Sequence, residues 1–122
     1  MALQRFINVL FMLSSLSGLC SAYTNPIRPD WGADPTIAHA DDGYYYLLST
    51  QDVNVQITRS TSIEGLKNGE TKVVYVSNDP SHCCNNWAPE MHRLGDRWYI
   101  YFTSGNGANL DGQRSHVLRG KF

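Results

Sequence analysis

The sequence predicts an all-β chain that contains about two blades of a β-propeller. Two stretches, 31–50 and 87–104, follow one plan: a tryptophan, a turn ending in proline, a short apolar run, a glycine-containing turn and an aromatic-rich strand. Aligning Pro35 with Pro89 relates the two stretches by an offset of 54 residues. Units of roughly 50 residues made of strands are typical of propeller blades. No stretch after residue 22 shows the periodicity of a helix.

The first 22 residues have the composition of a secretory signal. Arg5 supplies a positive charge, an apolar region follows, and Cys20-Ser21-Ala22 offers small residues for cleavage before Tyr23. A buried N-terminal helix is the alternative interpretation. The apolar run is too short, and too interrupted by serines, to be a good membrane anchor. We therefore expect a secreted, extracellular protein whose folded part spans residues 23–122.

The first unit contains four predicted strands. The segment 44–50 is apolar on both faces, so both faces must be covered, as they are in stacked blades. The turn at 41–43 ends in glycine, where a positive φ is needed. The predicted strands are 36–39, 44–50, 55–59 and 72–76, with a connector at 62–69.

The second unit follows a polar loop at 77–86, and loops between sheets often carry function. Its predicted strands are 90–94, 97–103 and 115–119, with a turn at 95–96 and a Gly/Asn loop at 105–112. The polar loop holds adjacent cysteines, Cys83 and Cys84. In an oxidising compartment they form either a vicinal disulfide or two free or externally paired thiols.

Charge and metal-binding residues exclude several classes of partner. The net charge is −1, so neither nucleic acid nor an anionic membrane surface is expected as a partner. Zinc is disfavoured because His82 lies too close in sequence to the cysteine pair and no second ligand pair follows. We predict no metal or other cofactor.

Asp34 is the strongest candidate for chemistry. It lies on a Gly/Pro-framed turn at the start of a predicted innermost strand, where it could act as a reactive carboxylate. The alternative is a local role in capping the turn before Pro35. Glu90 and His92 point to the same side of their strand by period two, and Glu90 aligns close to Asp34 at the repeat offset.

Each of these side chains has a structural alternative. Glu90 is an acid, a ligand for sugar hydroxyls or an exposed strand-end charge, and His92 is more often a hydrogen-bonded core residue. Trp31 and Trp87 each lie three residues before a carboxylate, where an aromatic face either stacks on a sugar ring or is simply buried. Asn106, Asn109, Asp111 and Arg114 line a polar rim or form a solvated loop.

Several motifs in order resemble the opening of fungal glycoside hydrolase family 43 proteins. They are 32–35 (Gly-Ala-Asp-Pro), 42–47 (Asp-Gly-Tyr-Tyr-Tyr-Leu), 65–67 (Gly-Leu-Lys), 83–85 (Cys-Cys-Asn), 87–92 (Trp-Ala-Pro-Glu-Met-His), 98–102 (Trp-Tyr-Ile-Tyr-Phe) and 110–118. That family contains arabinofuranosidases, arabinanases and β-xylosidases on a five-bladed β-propeller, with an inverting mechanism. The resemblance implies a hydrolase of arabinose- or xylose-containing polysaccharides of the plant cell wall, such as arabinan and arabinoxylan, with α-L-arabinofuranosidase activity favoured.

The resemblance also assigns roles to residues. Asp34 matches the general base, and residues 87–90 match the motif that opens the second blade and lines the sugar pocket. Some relatives hold a calcium ion on the propeller axis, and the sequence leaves that feature open. The family's general acid and the aspartate that tunes its pKa lie on later blades and have no counterpart before Phe122. We therefore expect residues 23–122 to be the first part of the catalytic domain and to be inactive alone.

Two other functions remain open from the sequence. Retaining enzymes related to invertase and levansucrase use an aspartate in a Trp-x-x-Asp-Pro setting, but they usually carry Asn and Gly where this chain has Ala33 and Thr36. A small secreted carbohydrate-binding module would explain the aromatic residues and the lack of a second catalytic carboxylate. It would not explain the repeat.

Overall fold

Residues 25–30 and 32–121 are described in a computed structural model of the chain. The predicted signal segment and Trp31 lie outside the described residues. Seven strands form two antiparallel sheets: β1 Thr36–His39, β2 Tyr45–Leu48, β3 Val55–Ser60 and β4 Glu70–Tyr75 in the first, and β5 Cys84–Leu94, β6 Arg97–Gly105 and β7 Arg114–Gly120 in the second. Within each sheet, every strand pairs with its neighbour in sequence, as in a propeller blade.

The first sheet has the four predicted strands. β1 has the predicted bounds, and the turn at 41–43 is present with Gly43 at a φ of 83°. β2 is shorter than the predicted segment 44–50 at both ends, and the Ala40 N–H donates to the Tyr44 carbonyl across the turn. The connector before β4 contains a 3₁₀ turn, Glu64–Asn68, whose Leu66 is fully buried.

The second sheet differs from the prediction at its first strand. β5 begins at Cys84, six residues before the predicted start at Glu90. Its pairing with β6 shifts register twice, between Cys84 and Trp87 and between Trp87 and Glu90. These irregularities interrupt the alternation of side chains, so the start of the strand has no period-two pattern to reveal it. Between β6 and β7 lies a second 3₁₀ turn, Leu110–Gly112.

The core lies between the two sheets. Its buried side chains are Ala40, Tyr46, Leu48, Val55 and Ile57 from the first sheet and Met91, Ile100 and Phe102 from the second. Fully burying one such large apolar side chain contributes about 1.5–3 kcal/mol. Arg93 of β5 also forms an ion pair with Asp41 in the β1–β2 turn, which links the two sheets at their edge. None of the helical turns among residues 25–30 and 32–121 is long and apolar enough to cross a membrane.

The repeat holds at an offset of 54 residues only for the innermost strands. In the first sheet Thr36 pairs with Leu48, and in the second Glu90 pairs with Tyr101. Thr36 and Glu90 match at 54, but their partners are separated by 53, because the second hairpin turn is tighter. Leu48 therefore corresponds in the sheet to Tyr101, not to Phe102, which the offset of 54 would give. Leu48 and Phe102 nevertheless both face the space between the sheets.

The outer face of the second sheet is open to solvent. Leu94 is 53% exposed, Tyr101 42% and Val117 54%. By the corrected register this face corresponds to the face of the first sheet that packs into the core. β6 is therefore apolar on both faces, as expected for a strand that lies between two sheets.

Candidate active site

Strained backbone is concentrated where the two innermost strands begin. β1 lies close to β5, and four non-glycine residues among those described have positive φ: Asp34 (51°), Asp52 (70°), Asn85 (54°) and Ala88 (48°). Such conformations cost about 1–3 kcal/mol each and cluster at functional sites. Aspartate and asparagine tolerate the left-handed region better than most residues, whereas alanine has no such advantage.

The Asp34 carboxylate is oriented through one oxygen and open at the other. Its Oδ2 accepts a hydrogen bond from the Thr50 hydroxyl at 2.7 Å, and the Thr50 N–H donates to the Ala33 carbonyl at 3.0 Å. Its Oδ1 has no hydrogen bond to any other described residue, and the side chain is exposed. One oxygen is therefore fixed while the other is available to a water molecule.

Thr50 joins Asp34 to the Trp87 motif. The same hydroxyl oxygen that donates to Asp34 accepts the Ala88 N–H at 2.9 Å. Two residues later, Asp52 accepts the Trp87 Nε1–H through Oδ1 at 3.2 Å, and its carbonyl accepts the Asn86 N–H at 2.8 Å. Through these hydrogen bonds, the loop after β2 holds the Asp34 turn and the Trp87 motif next to each other. Trp87 is half-buried in it.

Sequence reasoning missed Thr50 and Asp52. Thr50 was placed at the end of a predicted strand, and Asp52 in an unassigned loop. Their partners lie 38 and 35 residues away, so no local pattern connects them.

Glu90 and His92 form a separate group. His92 Nε2 lies 3.1 Å from Glu90 Oε2, as their predicted common side requires. Their side chains are 60% and 51% exposed, and the His92 ring lies 6.1 Å from the Tyr101 ring. Met91 between them faces the core, so they project from the outer face of the second sheet. Among the described contacts, none joins this pair to Asp34.

The polar loop carries a vicinal disulfide. Cys83 and Cys84 are bonded to each other, which selects one of the two alternatives left open by the sequence. The residues predicted to line a polar rim instead make hydrogen bonds within their own loop. Asn106 Oδ1 accepts the Ala108 N–H, and Asn109 Oδ1 accepts the Asp111 N–H. Arg114 donates to the Asp111 carbonyl. Those side chains fold the loop rather than converge on Asp34.

The perturbed carboxylates lie away from Asp34. The Tyr46 hydroxyl, 2.6 Å from Asp42 Oδ2, lowers the pKa of Asp42, and the Tyr44 N–H adds to the effect. Burial and the same hydrogen bond raise the pKa of Tyr46. Bonds from the Ser81 N–H and hydroxyl lower the pKa of Asp79. The hydrogen bonds that cause these pKa shifts stabilise turns, and none of them involves a candidate catalytic group.

A groove of about 400 Å³ opens elsewhere, between the outer strands of the two sheets. Its walls combine apolar residues such as Ile57 and Trp98 with charged ones such as Arg59, Glu70 and Lys121. Asp34, Trp87 and Glu90 do not line it. The candidate site is thus the exposed end of the innermost strands, not this groove.

Two antiparallel sheets packed face to face, each built of strands that pair in sequence order, are the arrangement of two neighbouring β-propeller blades. The chain belongs to the glycosyl hydrolases family 43, whose family model matches residues 23–120. Curated relatives include the alpha-L-arabinofuranosidase B of Pyricularia oryzae, 37% identical over 72% of this chain. Another is the extracellular exo-alpha-(1->5)-L-arabinofuranosidase of Streptomyces avermitilis, 30% identical over 79% of it.

Solved structures agree on the fold. The alpha-L-arabinofuranosidase from Lactobacillus brevis superposes on 80% of this chain with a TM-score of 0.70 and 29% identity. The solved structures that are similar to this chain are five-bladed propellers, so the chain is part of such a propeller, as predicted. The chain spans 18% and 20% of the two curated relatives and 33% of the Lactobacillus brevis structure.

Proposed function

We propose that this chain supplies the general base of a secreted, inverting α-L-arabinofuranosidase that acts on arabinan or arabinoxylan of the plant cell wall. The observation that carries the proposal is the exposed Asp34 carboxylate, whose Oδ2 is fixed by Thr50 and whose Oδ1 has no hydrogen bond to another described residue. Membership of family 43 and the arabinofuranosidase names of the relatives support the substrate class.

Inversion assigns a defined task to Asp34. Its free oxygen would take a proton from a water molecule as that water attacks the anomeric carbon, on the face opposite the departing oxygen. A second carboxylic acid, roughly 6.5–9.5 Å from the base, must protonate the departing oxygen. The Thr50 hydroxyl keeps the base oriented, which limits the loss of rate that misplacement of a catalytic group causes.

Glu90 is not proposed as that acid. Its carboxylate is paired with His92 on the outer face of the second sheet. We propose that the acid lies on later blades, as the family resemblance implies, and that residues 23–122 alone do not hydrolyse arabinosides. Trp31, Trp87, Glu90 and His92 are proposed to contact sugar in the complete enzyme. Neither nucleic acid nor a membrane is proposed as a partner.

Reading the source transcript past the codon for Phe122 tests the proposal. The extended protein, meaning the product of that longer reading, should release arabinose from p-nitrophenyl α-L-arabinofuranoside, and residues 23–122 should not. Proton NMR should show inverted arabinose as the first product. Glu90→Gln should raise KM but keep kcat within about tenfold of the wild type, because Glu90 is proposed to contact sugar and not to be the acid. A retained anomer would contradict the mechanism. A stop after Phe122, with arabinan binding by the short chain, would favour a carbohydrate-binding protein instead.

A further inference from the structure

The segment Asn85–Ala88 is held in a conformation that its residues do not favour. Asn85 and Ala88 both have left-handed backbones, at φ values of 54° and 48°. Conformations of this kind persist when the surrounding structure over-determines them. The contacts that fix this segment therefore also fix the Ala88 N–H, which bonds the Thr50 hydroxyl beside Asp34.

The disulfide constrains the backbone that leads into this segment. Cys83 and Cys84 are joined to each other immediately before Asn85, so the backbone there is part of a small ring. Both cysteines are half-buried. A ring at this position removes rotational freedom from the chain just before its first left-handed residue.

Ser104 anchors the ring from the neighbouring strand. Its side chain is fully buried at the end of β6. The hydroxyl lies 2.8 Å from the His82 carbonyl and 3.4 Å from the Cys84 carbonyl, the groups that flank the disulfide. One buried hydroxyl thus lies within hydrogen-bond distance of backbone carbonyls on both sides of the ring.

Gln113 anchors the residue that follows the ring. Its Nε2 donates to the Asn85 carbonyl at 2.7 Å and to Thr103 Oγ1 at 2.8 Å. Glycines make room for these contacts. A Cβ on Gly105 would lie 2.4 Å from Gln113 Oε1, and one on Gly107 would lie 3.1 Å from the Cys84 Cβ.

We propose that the Cys83–Cys84 disulfide, clamped by Ser104 and Gln113, is a positioning device that holds residues 85–88 and, through Thr50, the Asp34 carboxylate. The disulfide acts on Asp34 through backbone and Thr50 and does not touch the reacting atoms. Its consequence for turnover rests on the function proposed above; its consequence for the backbone does not.

Hydrogen exchange of the folded chain before and after reduction tests the device. A phosphine reductant converts the disulfide to two thiols and is itself oxidised to the phosphine oxide, with oxygen taken from water. We expect the Asn86 and Ala88 amides to exchange at least about tenfold faster after reduction, while β3 is unchanged and reoxidation restores protection. Unchanged exchange at 85–88 would overturn the proposal. So would equal acceleration in β3, which would make the disulfide a global stabiliser.

Two variants support the same test without reductant. Ser104→Ala should accelerate exchange at 85–88, whereas Ser115→Ala, at an exposed serine of β7, should not. In the extended protein, reduction should lower kcat about tenfold or more and change KM less than about twofold. An inactive extended protein would refute the proposed function and leave the exchange result to decide on the clamp.

Discussion

Replacing Thr50 with valine tests the link between the two sequence motifs. Valine has nearly the shape of threonine but lacks the hydroxyl that donates to Asp34 and accepts the Ala88 N–H. The backbone bond from Thr50 N–H to the Ala33 carbonyl is retained, so the loop keeps its path. The substitution therefore removes two hydrogen bonds at one point.

The expected cost follows from the nature of each bond. A hydrogen bond to a charged group contributes about 1.5–3 kcal/mol, but Asp34 is exposed, so about 1 kcal/mol is the better figure. The bond from Ala88 is neutral and contributes about 0.5–1.5 kcal/mol. Thr50→Val should therefore lower the free energy of unfolding by about 1.5–2.5 kcal/mol.

Urea unfolding measures this loss, with Thr50→Ser as the matched control because serine keeps the hydroxyl. The valine variant should have a midpoint lower by about 1 M for a typical slope, and the serine variant should lie near the wild type. In the extended protein, Thr50→Val should also lower kcat by about 10–100-fold. If valine and serine variants agreed within about 0.5 kcal/mol and had equal kcat, the proposed role of Thr50 would be wrong.

Three further predictions concern other contacts. The hydrogen bond from Tyr46 lowers the pKa of Asp42 in the folded state below its unfolded value of about 3.9, so its contribution to stability is present above that pH and is lost as the pH falls through the lowered value. Asp42→Asn should flatten the acid limb of stability measured by urea unfolding from pH 2 to 6, and an unchanged slope would contradict this origin. Trp87→Phe removes the hydrogen bond from Nε1 to Asp52 and should lower the free energy of unfolding by about 0.5–1.5 kcal/mol, measured by thermal unfolding. No loss would show that this bond does not contribute to stability. Leu66→Ala empties a fully buried position and should cost about 2–4 kcal/mol in the same assay; a loss under about 1 kcal/mol would mean that the connector is loosely packed.

Local patterns predicted the regular parts of the fold. The Gly/Pro-framed turn at Asp34 and the glycine turn at Gly43 bracket β1, and its bounds were predicted correctly. Alternation failed at β5, because two register shifts break the pattern between Cys84 and Glu90. The repeat alignment failed by one residue in the second strands, because sequence similarity does not reveal a turn shortened by one residue.

The candidate site was predicted only in part. The turn around Asp34 makes it a candidate that stays a prediction, whereas period two correctly predicted the common side of Glu90 and His92. Thr50 and Asp52 were missed because their bonds join segments far apart in sequence, which only the packed sheets bring together.

The most direct test of Asp34 as the base is azide rescue of the Asp34→Ala variant of the extended protein. Alanine removes the group that deprotonates water and leaves space for an anion that needs no deprotonation. The account predicts a loss of at least about 10³-fold in kcat on arabinofuranosides, partly restored by azide, with an arabinosyl azide of inverted configuration as the product. Activity within about tenfold of the wild type, or an azide product of retained configuration, would contradict it.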